Sequence, residues 1–107
     1  TISEKSFFID KNNTIWLPTM KGLYKVKNLK PLLTEQDLEK ICDYPAISIT
    51  QTRNNDIWVG LMEGAMRISA TGVIADFSTK NGFTGASVSR IYEDSKGVLW
   101  FATDGDG

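Results

Sequence analysis

Three tryptophans constrain this chain more than any other feature of its sequence. Trp16, Trp58 and Trp100 are the only tryptophans among 107 residues, and each interval between them is 42 residues. Every indole stands between two aliphatic or aromatic residues, which are Ile15 and Leu17, Ile57 and Val59, and Leu99 and Phe101. A period of about 40 to 45 residues is typical of β-propellers, in which each repeat forms one small sheet. The spacing therefore predicts a repeat protein.

Other positions of the repeat also carry similar residues. The residue three positions before each tryptophan is asparagine or glycine, which tolerate the positive φ of a tight hairpin turn. These residues are Asn13, Asn55 and Gly97. Six residues before each tryptophan stand Asp10, Thr52 and Asp94. Six residues after the first two tryptophans stand Gly22 and Gly64. The third copy reads Asp104-Gly105-Asp106-Gly107, which is the same turn with one extra residue.

The residue pattern within each repeat favours strands over helices. Segments rich in aromatic and β-branched residues end in polar turns, and no window of this length keeps an apolar stripe with a 3.6-residue period. We therefore predict an all-β chain. It is expected to be a partial β-propeller of about two and a half four-stranded antiparallel blades, with a 42-residue repeat and one short helix between blades one and two.

The expected division of the chain follows from this repeat. Blade one spans residues 1–34 and blade two spans residues 46–78, and they are joined by a crossover with the short helix at residues 35–45. A crossover loop at residues 79–86 leads to the first two strands of blade three at residues 87–107. The helix prediction rests on Thr34 as a cap, with Asp37 three residues later, and extends from Thr34 to Cys42, before Pro45. The fourth strand of blade one is expected at Pro31 to Leu33.

The composition excludes several classes of function. Twelve basic and thirteen acidic side chains give a net charge of −1, without the electrostatic signature of a binder of nucleic acids or anionic membranes. The absence of histidine excludes histidine-based nucleophile activation and proton shuttling, and the lone Cys42 cannot form an internal disulfide. The longest apolar run, Val98 to Ala102, is far too short to cross a bilayer. We expect no catalytic residues, no metal and no cofactor.

Several repeat residues invite a functional interpretation but are better explained structurally. An indole stacks well on sugars, yet a tryptophan between apolar neighbours on a central strand is typical of packing between sheets. Asp10 and Asp94 stand where a carboxylate accepts backbone N–H bonds in a turn. Glu93 and Asp94 are adjacent and point to opposite faces of a strand, unlike the carboxylate pair of a glycosidase. We assign structural roles to Trp16, Trp58, Trp100, Asp10, Asp94, Gly22 and Gly64.

The last repeat resembles the two-component regulator propeller repeat. It runs as an apolar strand from Val88, then Glu93-Asp94, Gly97, the pair Leu99-Trp100, Thr103 and a glycine-rich turn. Asn81-Gly82-Phe83 is similar to the Asn-Gly-Leu that commonly opens such a repeat. Weaker copies extend the resemblance to nearly the whole chain, apart from the segment Thr34 to Pro45; they span Asp10 to Leu23 and Thr52 to Ala65.

This resemblance implies a function for the parent protein. Such repeats build extracytoplasmic sensor propellers of membrane-anchored bacterial regulators, whose outputs are histidine kinases, hybrid kinase-regulators or diguanylate cyclases. The chain, which begins at Thr1, is expected to be a non-catalytic fragment of such a sensor. The expected partners are a carbohydrate or other small-molecule ligand, the remaining blades, and other copies of the fragment, but neither nucleic acid nor membrane. The alternative is a protein-interaction or scaffold propeller without signalling.

A ligand is expected where the loops of a propeller converge near its central channel. Candidates come from the inner strands, from the turns after the tryptophan strands and from the crossover. They are Lys21, Tyr44, Ser48, Glu63, Ser87, Arg90 and Asp104.

Overall fold

Three antiparallel sheets make up the described part of the chain, which comprises residues 7–28, 31–77 and 87–103 of a computed structural model. The first sheet consists of β1 (Phe8–Ile9), β2 (Ile15–Thr19), β3 (Gly22–Val26) and β4 (Leu38–Cys42). The second consists of β5 (Ala46–Gln51), β6 (Ile57–Leu61), β7 (Gly64–Ile68) and β8 (Ile74–Phe77). The third pairs β9 (Val88–Glu93) with β10 (Leu99–Thr103). The prediction of an all-β chain with four-stranded antiparallel sheets is confirmed.

The hairpin turns follow the sequence pattern closely. Asn13 and Asn55 adopt positive φ angles of 64° and 72°, and Gly97 adopts 83°. Each of the three donates its backbone N–H to the carbonyl three residues earlier, at 2.9–3.0 Å. The expectation of positive φ at these turn positions is therefore confirmed, and each turn joins two neighbouring strands in register.

The prediction of a short helix over Thr34 to Cys42 is correct for one turn and wrong for the rest of the segment. Glu35–Asp37 forms a single 3-10 turn, while Leu38–Cys42 is β4 and pairs with β3. The carboxylate of Asp37 accepts the backbone N–H and the hydroxyl of Thr34, at 2.9 and 3.1 Å, so the capping signal is real. The open edge of β3 then offers backbone hydrogen bonds along its length, and these override the local helical pattern.

The expected fourth strand of the first sheet lies elsewhere in the chain. Pro31 to Leu33 form no strand and are exposed, whereas β4 occupies that edge of the sheet. Proline lacks the N–H that a strand position requires, and residues 38–42 supply a complete set of donors.

The sheets pack face to face through the side chains that flank and include the tryptophans. Trp16 and Leu23 of the first sheet pack against an apolar face of the second sheet. That face consists of Ile57, Val59, Leu61, Met66 and Ile68. A second cluster joins the second and third sheets through Ala65, Val88 and Ile91, with Trp58, Leu99 and Phe101 against it. Successive sheets thus bury the indole-bearing face of one against the next.

The three indoles differ in burial because they differ in what covers them. Trp16 is 6% exposed beneath the second sheet, and Trp58 is half-buried against the third. Trp100 is 60% exposed, so the packing between sheets expected for the tryptophans is not found at this residue. Within the described residues, no sheet lies against the face that carries Trp100.

We predict that Leu23→Ala lowers the free energy of unfolding by about 2–5 kcal/mol, because Leu23 is completely buried between the first two sheets. Urea denaturation measures the difference. Leu32→Ala is the matched control, since Leu32 is 84% exposed, and it should change the stability by less than about 0.5 kcal/mol. Equal losses from both substitutions would contradict the described core.

Candidate functional site

A carboxylate organises the first hairpin turn and fixes the tryptophan that follows it. Asp10 Oδ1 accepts the backbone N–H groups of Asn12 and Thr14, each at 2.9 Å. Its other oxygen, Oδ2, accepts the indole N–H of Trp16 at 2.9 Å. The carboxylate therefore joins the backbone of the turn to the orientation of a core indole, and all of these contacts are structural.

The third sheet repeats this arrangement around Asp94. The backbone N–H groups of Lys96 and Val98 donate to Oδ1 at 2.9 and 3.0 Å, and the indole N–H of Trp100 donates to Oδ2 at 2.9 Å. The hydrogen bond from the indole, reinforced by the backbone donors, lowers the pKa of Asp94 below its ordinary value. In the second sheet Thr52 takes the equivalent position, where its hydroxyl contacts Asn54 Oδ1 and the Asp56 carbonyl.

Polar contacts also join neighbouring sheets at the end where these turns lie. The backbone N–H of Lys11 donates to Gln51 Oε1 at 2.8 Å. Its Nζ donates to the carbonyl of Thr52 and to Asn55 Oδ1, both at 3.2 Å. We call this set of contacts the first latch, because it connects the turn of the first sheet to the turn of the second.

A second latch connects the second sheet to the third with the same geometry. The backbone N–H of Arg53 donates to Glu93 Oε1 at 2.8 Å, and its guanidinium donates to the carbonyls of Asp94 and Ser95 at 2.7 and 3.2 Å. Arg53 follows Lys11 by 42 residues, as Glu93 follows Gln51. Neither latch was predicted from the sequence, although this spacing of cations and acceptors was the signal that could have revealed them.

The opposite end of the sheets brings together four of the residues predicted to bind a ligand. This turn edge consists of residues 20–22, 42–45, 61–64 and 87–88. Gly22 has a φ of +138°, and a Cβ there would lie 2.2 Å from the Cys42 carbonyl oxygen. The backbone N–H of Met62 donates to the Pro45 carbonyl at 3.1 Å, and Gly64 forms a parallel bridge with Ser87. These contacts form one continuous path from the first sheet to the third.

The turn edge presents polar side chains to solvent. Lys21, Tyr44 and Glu63 are exposed, and Ser87 is half-buried. A cation, a phenol and a carboxylate together supply both donors and acceptors of hydrogen bonds. The edge can therefore bind a polar molecule, while among the described residues no cluster of Cys, Asp and Glu side chains could hold a metal ion.

The remaining three predicted residues differ from these four in their surroundings. Ser48 Oγ donates to the Val88 carbonyl at 3.0 Å, where Gly60 allows the strands to approach, since a Cβ there would lie 2.1 Å from the same oxygen. Arg90 is exposed on β9. Asp104 lies outside the described residues. The structure thus places Lys21, Tyr44, Glu63 and Ser87 along the turn edge, whereas the Ser48 hydroxyl is engaged by the Val88 carbonyl beside it and Arg90 is exposed on β9.

Arg90 belongs to a different surface, which we call the tryptophan face and define as Arg90, Tyr92, Trp100 and Ala102. The strand register places Tyr92 opposite Trp100 and Arg90 opposite Ala102. These residues and Phe101 line an open groove of about 490 Å³. Tyr92 is 55% exposed, so two aromatic rings and a guanidinium face solvent together.

The lowered pKa of Asp94 predicts an acid-sensitive stability. Because the folded-state pKa lies below the unfolded value of about 3.9, the stabilisation is present above that pH and is lost as the pH falls through the folded pKa. Asp94→Asn should therefore be less stable than the parent at neutral pH, with the difference shrinking below about pH 4. Urea denaturation across this range measures it. The exposed Glu39→Gln on β4 is the control, and a pH-independent difference for Asp94→Asn would contradict the prediction.

The second latch predicts a modest contribution from Arg53 to stability. Its side chain is 59% exposed, so solvent screens its ion pair with Glu93, but its loss also removes two hydrogen bonds to backbone carbonyls. Arg53→Ala should lower the free energy of unfolding by about 1 kcal/mol. Lys96→Ala, in an exposed turn, should change it by less than about 0.5 kcal/mol. Thermal unfolding of the two variants side by side provides the measurement, and identical melting curves would argue against the latch.

Comparison with known proteins finds a family similarity in the last repeat of the chain. No curated protein matches the chain. Within the described residues, no helix is both long and apolar enough to cross a membrane. Residues 82–105, the range that includes β9, β10 and Trp100, match the family model of the two component regulator propeller, in agreement with the resemblance seen in the last repeat.

Proposed function

We propose that this chain forms part of an extracytoplasmic, ligand-sensing propeller domain of a bacterial signal-transduction regulator. In this proposal it has no catalytic role and relays ligand occupancy to a membrane-linked output domain, a histidine kinase or a diguanylate cyclase. The observation that carries the proposal is the match of residues 82–105 to the two component regulator propeller. The small antiparallel sheets and their repeated turns support it.

The proposed binding surface is the turn edge, because it collects polar groups from successive sheets. Lys21 comes from the β2–β3 turn, Tyr44 from the β4–β5 connection and Glu63 from the β6–β7 turn. A carbohydrate suits such a surface, since its hydroxyls both donate and accept hydrogen bonds and its ring faces pack on an aromatic side chain. Another polar small molecule with donors and acceptors would use the same groups.

A non-catalytic role agrees with the way in which the repeated carboxylates are used. Asp10 and Asp94 each accept three N–H groups from their own turn and from an indole. A general base must keep an oxygen available for the proton that it removes. These two carboxylates serve the fold, and the proposal therefore assigns them no chemical step.

The geometry suggests how occupancy is relayed between sheets. The latches made by Lys11 and Arg53 hold neighbouring sheets together at one end, and the turn edge lies at the other. A ligand that bridges two turns draws the sheets together at the turn edge while the latches act as a pivot. Small changes of angle between packed sheets are a recognised way of transmitting a binding signal.

The alternative function is a protein-interaction or scaffold propeller. The tryptophan face favours it, because aromatic and arginine side chains are enriched at protein interfaces. Arg90, Tyr92 and Trp100 are all exposed there. In this case the chain would bind a protein surface and the turn edge would bind no small molecule.

Ligand binding by the full chain tests the sensing proposal. We expect a member of a panel of neutral and uronic-acid oligosaccharides to raise the melting temperature, and the double variant Lys21→Ala, Glu63→Ala to bind it at least about tenfold more weakly. Isothermal titration calorimetry measures both affinities. Lys96→Ala, at the opposite end of the sheets, should bind normally. An unchanged affinity of the double variant would exclude the turn edge as the site.

A further inference from the structure

Two exposed charges on the turn edge stand at equivalent positions of the repeat and are opposite in sign. Lys21 and Glu63 are 42 residues apart. Each is the second residue of a two-residue hairpin turn, and the strand register closes these turns at Gly22 and Gly64. Equivalent turns of two packed sheets lie next to each other, so the edge carries a cation on one turn and a carboxylate on the next.

The fold leaves both of these charges available. Among the described residues, the ion pairs that form engage neither Lys21 nor Glu63. Asp43, the other acidic residue on this edge, is by contrast engaged by Lys40. An exposed charge that is not already paired within the protein can form a charge-assisted hydrogen bond with a ligand group of the opposite sign.

The exposure of these charges does not depend on how many sheets the domain contains. The second sheet has a neighbour on each of its faces, and Glu63 is nevertheless exposed. Sheets pack through their faces, whereas Lys21 and Glu63 stand in turns at the ends of the sheets. A further sheet beside the first would therefore leave Lys21 as accessible as Glu63 is.

Tyr44 lies between the two charged turns. The segment that crosses from the first sheet to the second starts beside Gly22, where a Cβ would lie 3.4 Å from the Cα of Asp43. It reaches the next turn at Pro45, whose carbonyl accepts the backbone N–H of Met62 at 3.1 Å. Tyr44 stands between these two contacts and is 53% exposed. The edge therefore presents a cation, a phenol ring and a carboxylate in that order.

A methionine precedes each of the two charges. Met20 and Met62 occupy the first position of their turns and are 60% and 40% exposed. A thioether side chain is apolar and flexible, so it adapts to the shape of the group that contacts it. Together with the ring of Tyr44, these side chains supply apolar contacts beside the charged groups.

We propose that the turn edge binds a zwitterion whose carboxylate contacts Lys21 and whose ammonium group contacts Glu63, with its apolar body over Tyr44. Sheets packed face to face lie about 10 Å apart, and this sets the separation of the two charged groups of the ligand. The proposal rests on the sensing function proposed above and names the class of its ligand.

Two sources supply a zwitterion of this length. One is a peptide of about three residues with free ends, because an extended residue spans about 3.3–3.6 Å. The other is an oligosaccharide that contains an amino sugar and a uronic acid. Trialanine and a disaccharide of glucosamine and glucuronic acid are therefore the probes that distinguish these sources.

Isothermal titration calorimetry with the full chain at low salt measures the binding of both probes. At least one should bind, and N-acetylation of its amine should weaken the binding about fivefold, which is the size expected for the loss of an exposed ion pair. Added salt should also weaken it, because the attraction between exposed charges is screened. A neutral oligosaccharide serves as the reference ligand.

Exchanging the two charges distinguishes a zwitterion from a ligand that needs only polar groups. Lys21→Glu and Glu63→Lys should each weaken binding of the zwitterion about fivefold, because each leaves two like charges on the edge. The double exchange should restore trialanine binding to within about twofold, since a peptide with free ends can bind in the reverse direction. Lys96→Glu combined with Glu39→Lys keeps the net charge at exposed positions outside the turn edge and should bind as the parent does. Circular dichroism verifies that each variant is folded.

The possible outcomes separate this proposal from the sensing function on which it rests. If a neutral oligosaccharide binds through Lys21 and Glu63 while neither zwitterion binds, the zwitterion is excluded and the sensing function stands. Zwitterion binding that neither single exchange weakens would also overturn the proposal. A chain that binds none of the three probes would contradict both.

Discussion

The hydrogen bond between a turn carboxylate and an indole is the interaction on which the rest of this structure depends. In the first and third sheets an aspartate accepts two backbone N–H groups of its turn and the N–H of the tryptophan two residues into the following strand. The turn and the packing face of the sheet are thereby fixed together. The exposed Trp100 holds this bond without a covering sheet, so in the first and third sheets the carboxylate orients the indole independently of a neighbour.

The two ends of the sheets have separate roles. One end holds the aspartate turns and the latches, so its polar side chains are engaged in contacts within and between sheets. The other end leaves Lys21, Tyr44 and Glu63 exposed along a continuous backbone path. A surface that binds a ligand needs polar groups that are not already satisfied by the fold. The distribution of hydrogen bonds is thus the physical reason why we propose the turn edge as the ligand-binding surface.

Features that depend on a few neighbouring residues were predicted correctly, whereas features that join distant parts of the chain were not. The turns at Asn13, Asn55 and Gly97 were predicted because the φ that they need is a property of a few neighbouring residues. The segment 38–42 was predicted as a helix because its local pattern was read without the strand edge that it joins. The latches were missed because each connects residues about 40 positions apart, and no local pattern marks such a contact.

The sequence by itself determined the strand class and the turns, because both are written in the spacing and type of residues along one chain. The tertiary structure alone decided which indoles are buried, which polar side chains remain free and where the sheet edges are completed. Burial depends on what packs against a face. Trp16 and Trp100 stand in the same repeat position and hold the same hydrogen bond, yet among the described residues a sheet lies over Trp16 and none over Trp100.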